Sequence, residues 1–151
     1  MADHRIMLIP EDPLFVPDET HSVRARQRLM TYAPHADEVT YQVSNGVTFF
    51  DCGQNFEHVY CPNCSAGISL QWWQERMGED YDNDAFKLDT YETPCCNSYQ
   101  SLHDLKYIWQ QGFGQFSLQA LNPNMGKLTP EHKEQLEAAL EAPLREIHQY
   151  I

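Results

Sequence analysis

The sequence is short of positive charge. Ten lysine and arginine residues stand against 22 aspartate and glutamate residues in a chain of 151, so the formal net charge is −12. Such a charge opposes non-specific contact with phosphate backbones and anionic membranes, and it favours attraction to basic surfaces. The composition therefore argues against nucleic-acid binding and predicts a basic protein as the partner.

Long apolar runs and linker-like stretches are missing as well. No segment approaches the roughly 20 apolar residues that span a bilayer, and the run from Ile6 to Ile9 is too short for the core of a signal peptide. The chain has no repeat or low-complexity segment, and its hydrophobic content of 42% is that of a folded globular chain. We expect a single domain over residues 1–151 and a cytoplasmic location.

Common catalytic motifs are also absent. The glycines are scattered singly, so no glycine-rich loop can cradle a phosphate, and no G-x-S-x-G motif is present. The neighbours Glu57-His58 and His103-Asp104 fall in predicted strands, where adjacent side chains point to opposite faces. The sequence therefore favours a non-catalytic protein. An enzyme with an unrecognised site stays an alternative, and a cleft with clustered histidine and carboxylates would favour it.

What the sequence does have is cysteine in two tight groups. Cys61-Pro62-Asn63-Cys64 and Pro94-Cys95-Cys96 each follow a predicted strand, at Phe56–Tyr60 and Lys87–Thr93. Thiolates paired at two turns supply the four soft donors that a tetrahedral zinc ion binds at about 2.3 Å. We predict a structural Zn²⁺ in a zinc-ribbon-like core that carries a helical insertion, with the ligands Cys61, Cys64, Cys95 and Cys96.

The spacing departs from the common ribbon pattern of two C-x2-C pairs, because the second pair here is adjacent. Neighbouring side chains on an extended backbone point apart, so Cys95 and Cys96 can share one ion only if the chain turns there. Pro94 before the pair and Asn97-Ser98 after it provide turn chemistry. If only one of the two cysteines binds, the reserve ligand is Cys52, His103 or His58.

Two other interpretations of the cysteines stay open. Cys61-Pro62-x-Cys64 after a strand is also similar to the active-site turn of a thiol oxidoreductase, the glutaredoxin type. Such enzymes place the motif at the N-terminus of a long helix, whereas Gly67 disfavours an immediate helix here. The cysteines could also be small buried hydrophobic residues. Their odd number, five, and their metal-like grouping indicate a reducing compartment.

The rest of the pattern predicts an α+β fold with antiparallel hairpins and a C-terminal helix. The N-terminal β-α-hairpin portion covers about residues 1–52. It is predicted to hold a strand at Arg5–Ile9, a helix that Asp18 caps and that ends near Tyr32, and a hairpin at Val39–Phe50. The hairpin is predicted from alternating apolar residues on both sides of Asn45-Gly46, which favours a type I′ turn.

The zinc-ribbon-like portion covers about residues 53–121, and the C-terminal helical segment covers about residues 128–151. In the zinc-ribbon-like portion we expect a helix from Ser69 to Met77 that Gly78 ends, and a second hairpin between Leu105 and Ala120. In the C-terminal segment, Thr129-Pro130-Glu131 starts a helix that breaks near Glu141, and a final short helix carries Leu144, Ile147 and Ile151.

An acidic run, Glu79-Asp80-Tyr81-Asp82-Asn83-Asp84, lies between the cysteine groups. Its D-x-D-x-D pattern is similar to the start of an EF-hand loop, but Ala85 and Tyr91 stand where that loop needs glycine and glutamate, so we do not expect calcium binding. We expect instead a solvated acidic loop that meets a basic partner, with an aromatic anchor beside it. The predicted partner-binding residues are Trp72, Glu79, Asp80, Asp82 and Asp84.

The two cysteine motifs, together with three further segments, resemble a group of uncharacterised bacterial proteins that share a Cys-Pro-x-Cys and Pro-Cys-Cys pattern. The further segments are Asn55-Phe56-Glu57, Ser101-Leu102-x-Asp104-Leu105 and Gly112-Phe113-x-x-Phe116. The resemblance runs from Val39 onward and implies a bacterial or phage origin and a zinc-ribbon-like core, but no activity. Cys52 and His103 fall outside the pattern, which favours the four-cysteine ligand set.

The predicted function is a non-catalytic, zinc-stabilised interaction module. It would act as an adaptor or as an inhibitor of the immunity type that neutralises a basic protein. The alternatives are an enzyme with an unrecognised site, a nucleic-acid-binding zinc ribbon and a thiol oxidoreductase.

Overall fold

A computed structural model describes residues 3–151, which form three helices and ten strands. The predicted α+β class is confirmed, and the ladders between the strands are antiparallel. In chain order the elements are β1 (His4–Pro10), α1 (Glu19–Tyr32), β2 (Glu38–Phe50), β3 (His58–Tyr60), α2 (Leu70–Asp80), β4 (Tyr81–Asp82), β5 (Ala85–Phe86), β6 (Thr90–Glu92), β7 (Tyr99–Ser101), β8 (Lys106–Ile108), β9 (Gly112–Leu121), α3 (Pro130–Leu140) and β10 (Leu144–Tyr150).

A six-stranded sheet with the order β10-β1-β9-β2-β5-β4 forms the centre of the molecule. Helices α1 and α3 cover part of it, and their buried residues Leu29 and Leu136 join Ile6, Leu8 and Phe116 of the sheet in one core cluster. Both helices begin at the residues that their capping signals predict. The Asp18 side chain accepts the N–H of His21, and the Thr129 side chain accepts the N–H of His132, with Pro130 in the first turn.

Two small sheets, β3 with β8 and β6 with β7, carry the cysteine groups. They pack with α2 around a second core cluster of buried side chains that includes Val59, Leu105, Tyr107 and Phe113. Trp73 of α2 packs against this cluster and donates a hydrogen bond from Nε1 to the Tyr107 hydroxyl over 3.0 Å. The cysteine groups therefore rest on an apolar cluster that they share with strand β9 of the main sheet.

The predicted Val39–Phe50 hairpin is wrong. The segment is part of one strand, β2, which pairs with β9 on both sides of Asn45-Gly46. The register shifts between Val43 and Thr48, so Asn45-Gly46 lies in a bulge and not in a turn. Neither residue has the positive φ that a type I′ turn requires.

Two further predictions about the second half are also wrong. The Leu105–Ala120 segment does form strands β8 and β9, but β8 pairs with β3, whereas β9 pairs with β1 and β2. The final short helix is strand β10, which pairs with β1 along seven residues, from His4 opposite Tyr150 to Pro10 opposite Leu144. The predicted break before Pro143 is confirmed, because Glu141 ends α3 in a left-handed conformation.

Helix α2 starts as predicted, with the Ser69 side chain accepting the N–H of Trp72, but it runs through Gly78 to Asp80. The acidic run that follows is not a loop. It forms a hairpin of β4 and β5 around Asn83-Asp84, and both turn residues have positive φ, as in a type I′ turn. No helix in the described part of the chain is long and apolar enough to cross a membrane.

Candidate metal centre

Two turns bring the four predicted cysteines together. The ligand atoms of Cys61, Cys64, Cys95 and Cys96 all lie within 4.8 Å of one another. The Sγ atoms of Cys61 and Cys96 are 3.8 Å apart, and those of Cys64 and Cys95 are 3.4 Å apart. A tetrahedral ion with metal–sulfur bonds of about 2.3 Å separates its sulfurs by about 3.8 Å. The four cysteines could therefore hold a metal ion.

The two turns have the same backbone geometry. In the first, the N–H of Ser65 donates to the Cys61 carbonyl over 2.9 Å and the N–H of Cys61 donates to the Ala66 carbonyl over 2.9 Å. In the second, Asn97 donates to Thr93 over 3.1 Å and Thr93 donates to Ser98 over 2.8 Å. Ser65 and Asn97 both adopt positive φ, 65° and 59°. The adjacent pair Cys95 and Cys96 therefore lies in a tight turn, as predicted.

Each turn is the tip of a short antiparallel pair. The first joins β3 to the segment around Gly67, which bridges to Tyr60, and the Ile68 N–H donates to the Val59 carbonyl over 2.9 Å. The second joins β6 to β7. Short paired strands limit the freedom of each turn, so the sulfurs are placed by backbone hydrogen bonds and not by flexible side chains alone.

Polar groups around the cluster distribute its negative charge unevenly. Asn63 Nδ2 donates to the Cys96 sulfur over 3.5 Å, and the hydroxyls of Ser98 and Thr93 lie 3.4 and 3.5 Å from it. These contacts, led by Asn63, lower the pKa of Cys96 to about 5. The N–H of Ala66 favours the Cys64 thiolate, but the neighbouring thiols, led by Cys95, outweigh it and raise the pKa of Cys64 to about 12.

This contrast has a simple electrostatic cause. Sulfurs this close repel one another as anions, so without a cation the first thiolate suppresses the next. A divalent cation at the centre attracts the thiolates more strongly than they repel one another, and it therefore deprotonates the coordinating thiols. The cluster thus has the chemistry of a cation site that all four cysteines share.

The three reserve ligands lie elsewhere. Cys52 is buried in a third cluster with Met7, Ile9 and Ile147, and its burial raises its pKa to about 11. His103 is buried with both ring nitrogens engaged: Nδ1 accepts the Phe113 N–H over 3.0 Å, and Nε2 lies 2.7 Å from the Glu11 carbonyl oxygen. His58 is exposed on β3, with its ring centroid 5.9 Å from that of Tyr60. None of the three joins the four-cysteine group.

The predicted partner-binding residues divide into two groups. Glu79, Asp82 and Asp84 are exposed, and Trp72 is half-buried with the Arg76 guanidinium 5.6 Å from its ring centroid. Asp80, in contrast, has no exposed surface, so its prediction as a partner-binding residue is wrong. Its carboxylate has a structural role, because it accepts the N–H groups of Leu88 and Asp89 over 2.7 and 2.9 Å and the Tyr91 hydroxyl over 2.9 Å.

Sequence reasoning missed the polar side chains that surround the sulfurs. Asn63, Thr93 and Ser98 contact Cys96, and Thr93 is itself buried. A signal for them was present, because Cys61-Pro62-Asn63-Cys64 and Thr93-Pro94-Cys95-Cys96 align with Thr93 in the place of the first cysteine. Comparison of the chain with protein-family models, with curated proteins and with solved structures found no significant match.

Proposed function

We propose that the protein is a non-catalytic interaction module in which a structural Zn²⁺, bound by Cys61, Cys64, Cys95 and Cys96, supports an acidic surface for a basic protein partner. The observation that carries this proposal is the closeness of the four cysteine sulfurs, which all lie within 4.8 Å of one another. Four protein ligands fill a tetrahedral zinc ion and leave no open position for a substrate. The chemistry of such a site is structural.

We assign zinc, one of the two metals that the donor set favours. Four thiolates in tetrahedral arrangement select zinc or iron among the common biological metals. The hydrogen bonds to the Cys96 sulfur delocalise thiolate charge, as groups around a zinc–thiolate centre do. A zinc site of this kind also stabilises the fold directly, because the ligands are not assembled in the unfolded chain.

The acidic surface connects to the metal centre through Asp80. This buried carboxylate ends α2 and accepts the hydroxyl of Tyr91, which lies two residues before Thr93 in the second cysteine turn. Phe86 of the acidic hairpin and Trp72 of α2 pack against the core cluster that contains Cys61. Besides its pairing with β2, the hairpin of β4 and β5 is thus connected to the second cysteine turn through Asp80 and Tyr91.

The exposed part of this surface is the hairpin of β4 and β5 with the end of α2. Among the described residues, no lysine, arginine or histidine nitrogen lies within 4.0 Å of the Asp82 or Asp84 carboxylates, whereas Glu79 pairs with Arg76 over 2.9 Å. Unpaired carboxylates on a chain of net charge −12 attract a basic surface and accelerate its association. An adaptor or an inhibitor of the immunity type has this property.

Metal content tests the first half of the proposal. Elemental analysis of the purified protein, combined with a thiol-specific probe, should give one zinc per chain and slow reaction of the four ligand thiols. A ratio well below one with freely reactive thiols would contradict the zinc assignment.

Affinity capture from a bacterial lysate tests the second half, with two triple variants as bait. The first variant carries Glu79→Gln, Asp82→Asn and Asp84→Asn. It should not capture the basic proteins that the wild type retains at low salt. The matched control, Glu57→Gln, Glu131→Gln and Glu134→Gln, removes the same charge from exposed positions elsewhere and should retain them. Equal capture by both variants would show that total charge, not this surface, holds the partner.

An enzyme is the second candidate, because a cleft with histidine and carboxylates is present. Glu11, Glu146 and His148 line a cavity of about 420 Å³, and His148 Nε2 lies 2.6 Å from Glu146 Oε2. His148 Nδ1 also lies 3.0 Å from His4 Nε2, so the imidazole is held on both sides. Loss of a measured activity on His148→Gln, with zinc content unchanged, would favour this candidate.

The other two alternatives have less support. The thiol oxidoreductase needs its cysteine at a helix N-terminus, whereas α2 begins at Leu70, beyond the turn and the Gly67 bridge. Nucleic-acid binding needs a basic face large enough for several phosphates. The net charge of −12 opposes such contact.

A further inference from the structure

A cavity of about 420 Å³ has none of the cysteines in its lining. It opens between strand β10, at the edge of the main sheet, and strand β8 of a small sheet, with α3 at its side. Arg145 of β10 connects this strand to the segments on either side of β8, because its Nη1 donates to the backbone carbonyls of His103 and Gln111 over 3.2 and 2.9 Å. The cavity has the size of a small-molecule site.

The cavity collects positive charge in an acidic protein. Only ten lysine and arginine residues occur in the chain, and four of them line this cavity: Lys106, Lys127, Lys133 and Arg145. They come from β8, the loop before α3, α3 itself and β10, so no local sequence feature explains their meeting. Chance placement on a chain with 22 carboxylates would favour acidic neighbours instead.

The two carboxylates in the lining do not neutralise the lysines. Glu11 is paired with Arg145, whose Nη2 lies 2.8 Å from Glu11 Oε2. Glu146 contacts His148 over 2.6 Å and accepts the Leu128 N–H over 3.2 Å. Within residues 3–151 no carboxylate oxygen lies within 4.0 Å of the Nζ atoms of the three lysines. Three ammonium groups are thus available to a ligand.

The wall at β8 adds an apolar and aromatic surface. Ile108 is 37% exposed and Trp109 is 42% exposed, and both line the cavity. Exposed aromatic side chains in a pocket stack on flat rings, and ammonium groups bind phosphate oxygens as point charges. A ligand that uses both parts has a polyanionic head and a flat ring.

We propose that this cavity binds a nucleoside diphosphate or a similar small polyanion that carries a flat ring. The phosphates lie among Lys106, Lys127 and Lys133, and the ring lies against Trp109. This inference concerns residues outside the proposed zinc site and acidic surface, so it stands or falls separately from the proposed function.

A nucleic-acid strand fits this cavity less well than a small polyanion does. The positive groups converge in a concave site and do not form a stripe, and the chain as a whole carries a charge of −12. A long polyanion would leave the cavity and meet that negative surface, whereas a small one feels only the local lysines. Competition by single-stranded oligonucleotide below the ADP concentration needed for half-saturation would contradict this choice.

Isothermal titration of the purified, metal-loaded full chain tests the proposal with three probes: ADP, pyrophosphate and adenosine. We expect ADP to bind at one site, pyrophosphate to bind more weakly and adenosine not to bind, with ADP affinity falling as salt rises. Absence of binding by both ADP and pyrophosphate at millimolar concentration would overturn the proposal, and so would adenosine binding as tightly as ADP.

Two double variants and one single variant locate the site. Lys127→Gln with Lys133→Gln should weaken ADP binding about tenfold or more, because two charged contacts are lost. Lys87→Gln with Arg28→Gln removes the same charge from exposed positions outside the cavity and should leave binding within about twofold. Trp109→Leu should bring ADP down to the affinity of pyrophosphate. Thermal melting of each variant confirms folding, and equal ADP affinity in the two charge pairs would overturn the proposal.

Discussion

Thr93 occupies in the second cysteine turn the position that Cys61 occupies in the first. Both residues accept the N–H four positions ahead and donate to the carbonyl five positions ahead. Thr93 Oγ1 lies 3.5 Å from the Cys96 sulfur, so its side chain faces the cluster. The second turn is therefore a Cys-Pro-x-Cys turn whose first cysteine is replaced, with the missing sulfur supplied by Cys95 at the third position.

This equivalence predicts a rescue. Cys95→Ser alone should lose zinc, because three thiolates remain. Adding Thr93→Cys should restore one zinc per chain, since the new thiol would enter the position of the ordinary turn cysteine. Metal content of the two variants by elemental analysis provides the comparison. If the double variant binds no more zinc than Cys95→Ser, the two turns are not interchangeable.

The ligand set can be tested one residue at a time. Cys95→Ser and Cys96→Ser should each lower zinc content, whereas Cys52→Ser should retain one zinc per chain, because Cys52 lies in a separate apolar cluster. The Cys52 variant serves as the control for loss of a thiol outside the cluster. Zinc release from Cys52→Ser, with retention in one of the other two, would replace the assigned ligand set.

Zinc affinity should rise with pH. In the metal-free cluster the pKa of Cys96 is lowered to about 5, so its sulfur is a thiolate at neutral pH, whereas the pKa of Cys64 is raised to about 12, so its sulfur carries a proton. Zinc binding must release that proton, and each proton released strengthens binding about tenfold per pH unit. Competition with a chelator at pH 6.5 and pH 7.5 measures the effect. Affinity that falls or stays constant over this range would contradict a thiolate site.

A feature of the fold can be predicted from the sequence when the residues that cause it are close together in the chain. Helix starts at Asp18 and Thr129 follow from capping within a few residues, and the cysteine group follows from two short motifs. Whether Asn45-Gly46 forms a turn or a bulge depends instead on distant strands. β9 pairs along both halves of β2, and a Cβ at Gly46 would lie 2.6 Å from the Ala85 Cβ, so the glycine permits close packing and not a turn.

Other features were hidden for the same reason. The residues Leu144, Ile147 and Ile151 have helical spacing, but the segment gains a full ladder of backbone hydrogen bonds by pairing with β1 at the other end of the chain. The lysines of the cavity are spread over β8, a loop and α3, and no spacing rule links them. The burial of Asp80 within an acidic run also depends on partners up to eleven residues away.

Replacement of Asp80 should destabilise the fold although the residue lies in a surface run. Asp80→Ala leaves two partly buried N–H groups and the Tyr91 hydroxyl without their acceptor, and we expect a loss of about 3 kcal/mol in the free energy of unfolding. The control Asp82→Ala removes the same charge from an exposed position and should change it by less than about 0.5 kcal/mol. Urea unfolding of both variants provides the measurement. Equal midpoints would mean that Asp80 is not the link between the acidic hairpin and β6.

We propose that a metal ion in the four-cysteine cluster holds the segment from Ser65 to Pro94 in place. Zinc binding contributes about 10–16 kcal/mol of folding free energy in small zinc domains at neutral pH, whereas strands β1, β9 and β10 and helices α1 and α3 share a separate core cluster. Hydrogen exchange with and without a chelator tests this claim most directly. After verified zinc removal, amide protection should fall across residues 65–94, including the acidic hairpin, and should persist in β1, β9 and β10. Unchanged protection across residues 65–94 would contradict the account.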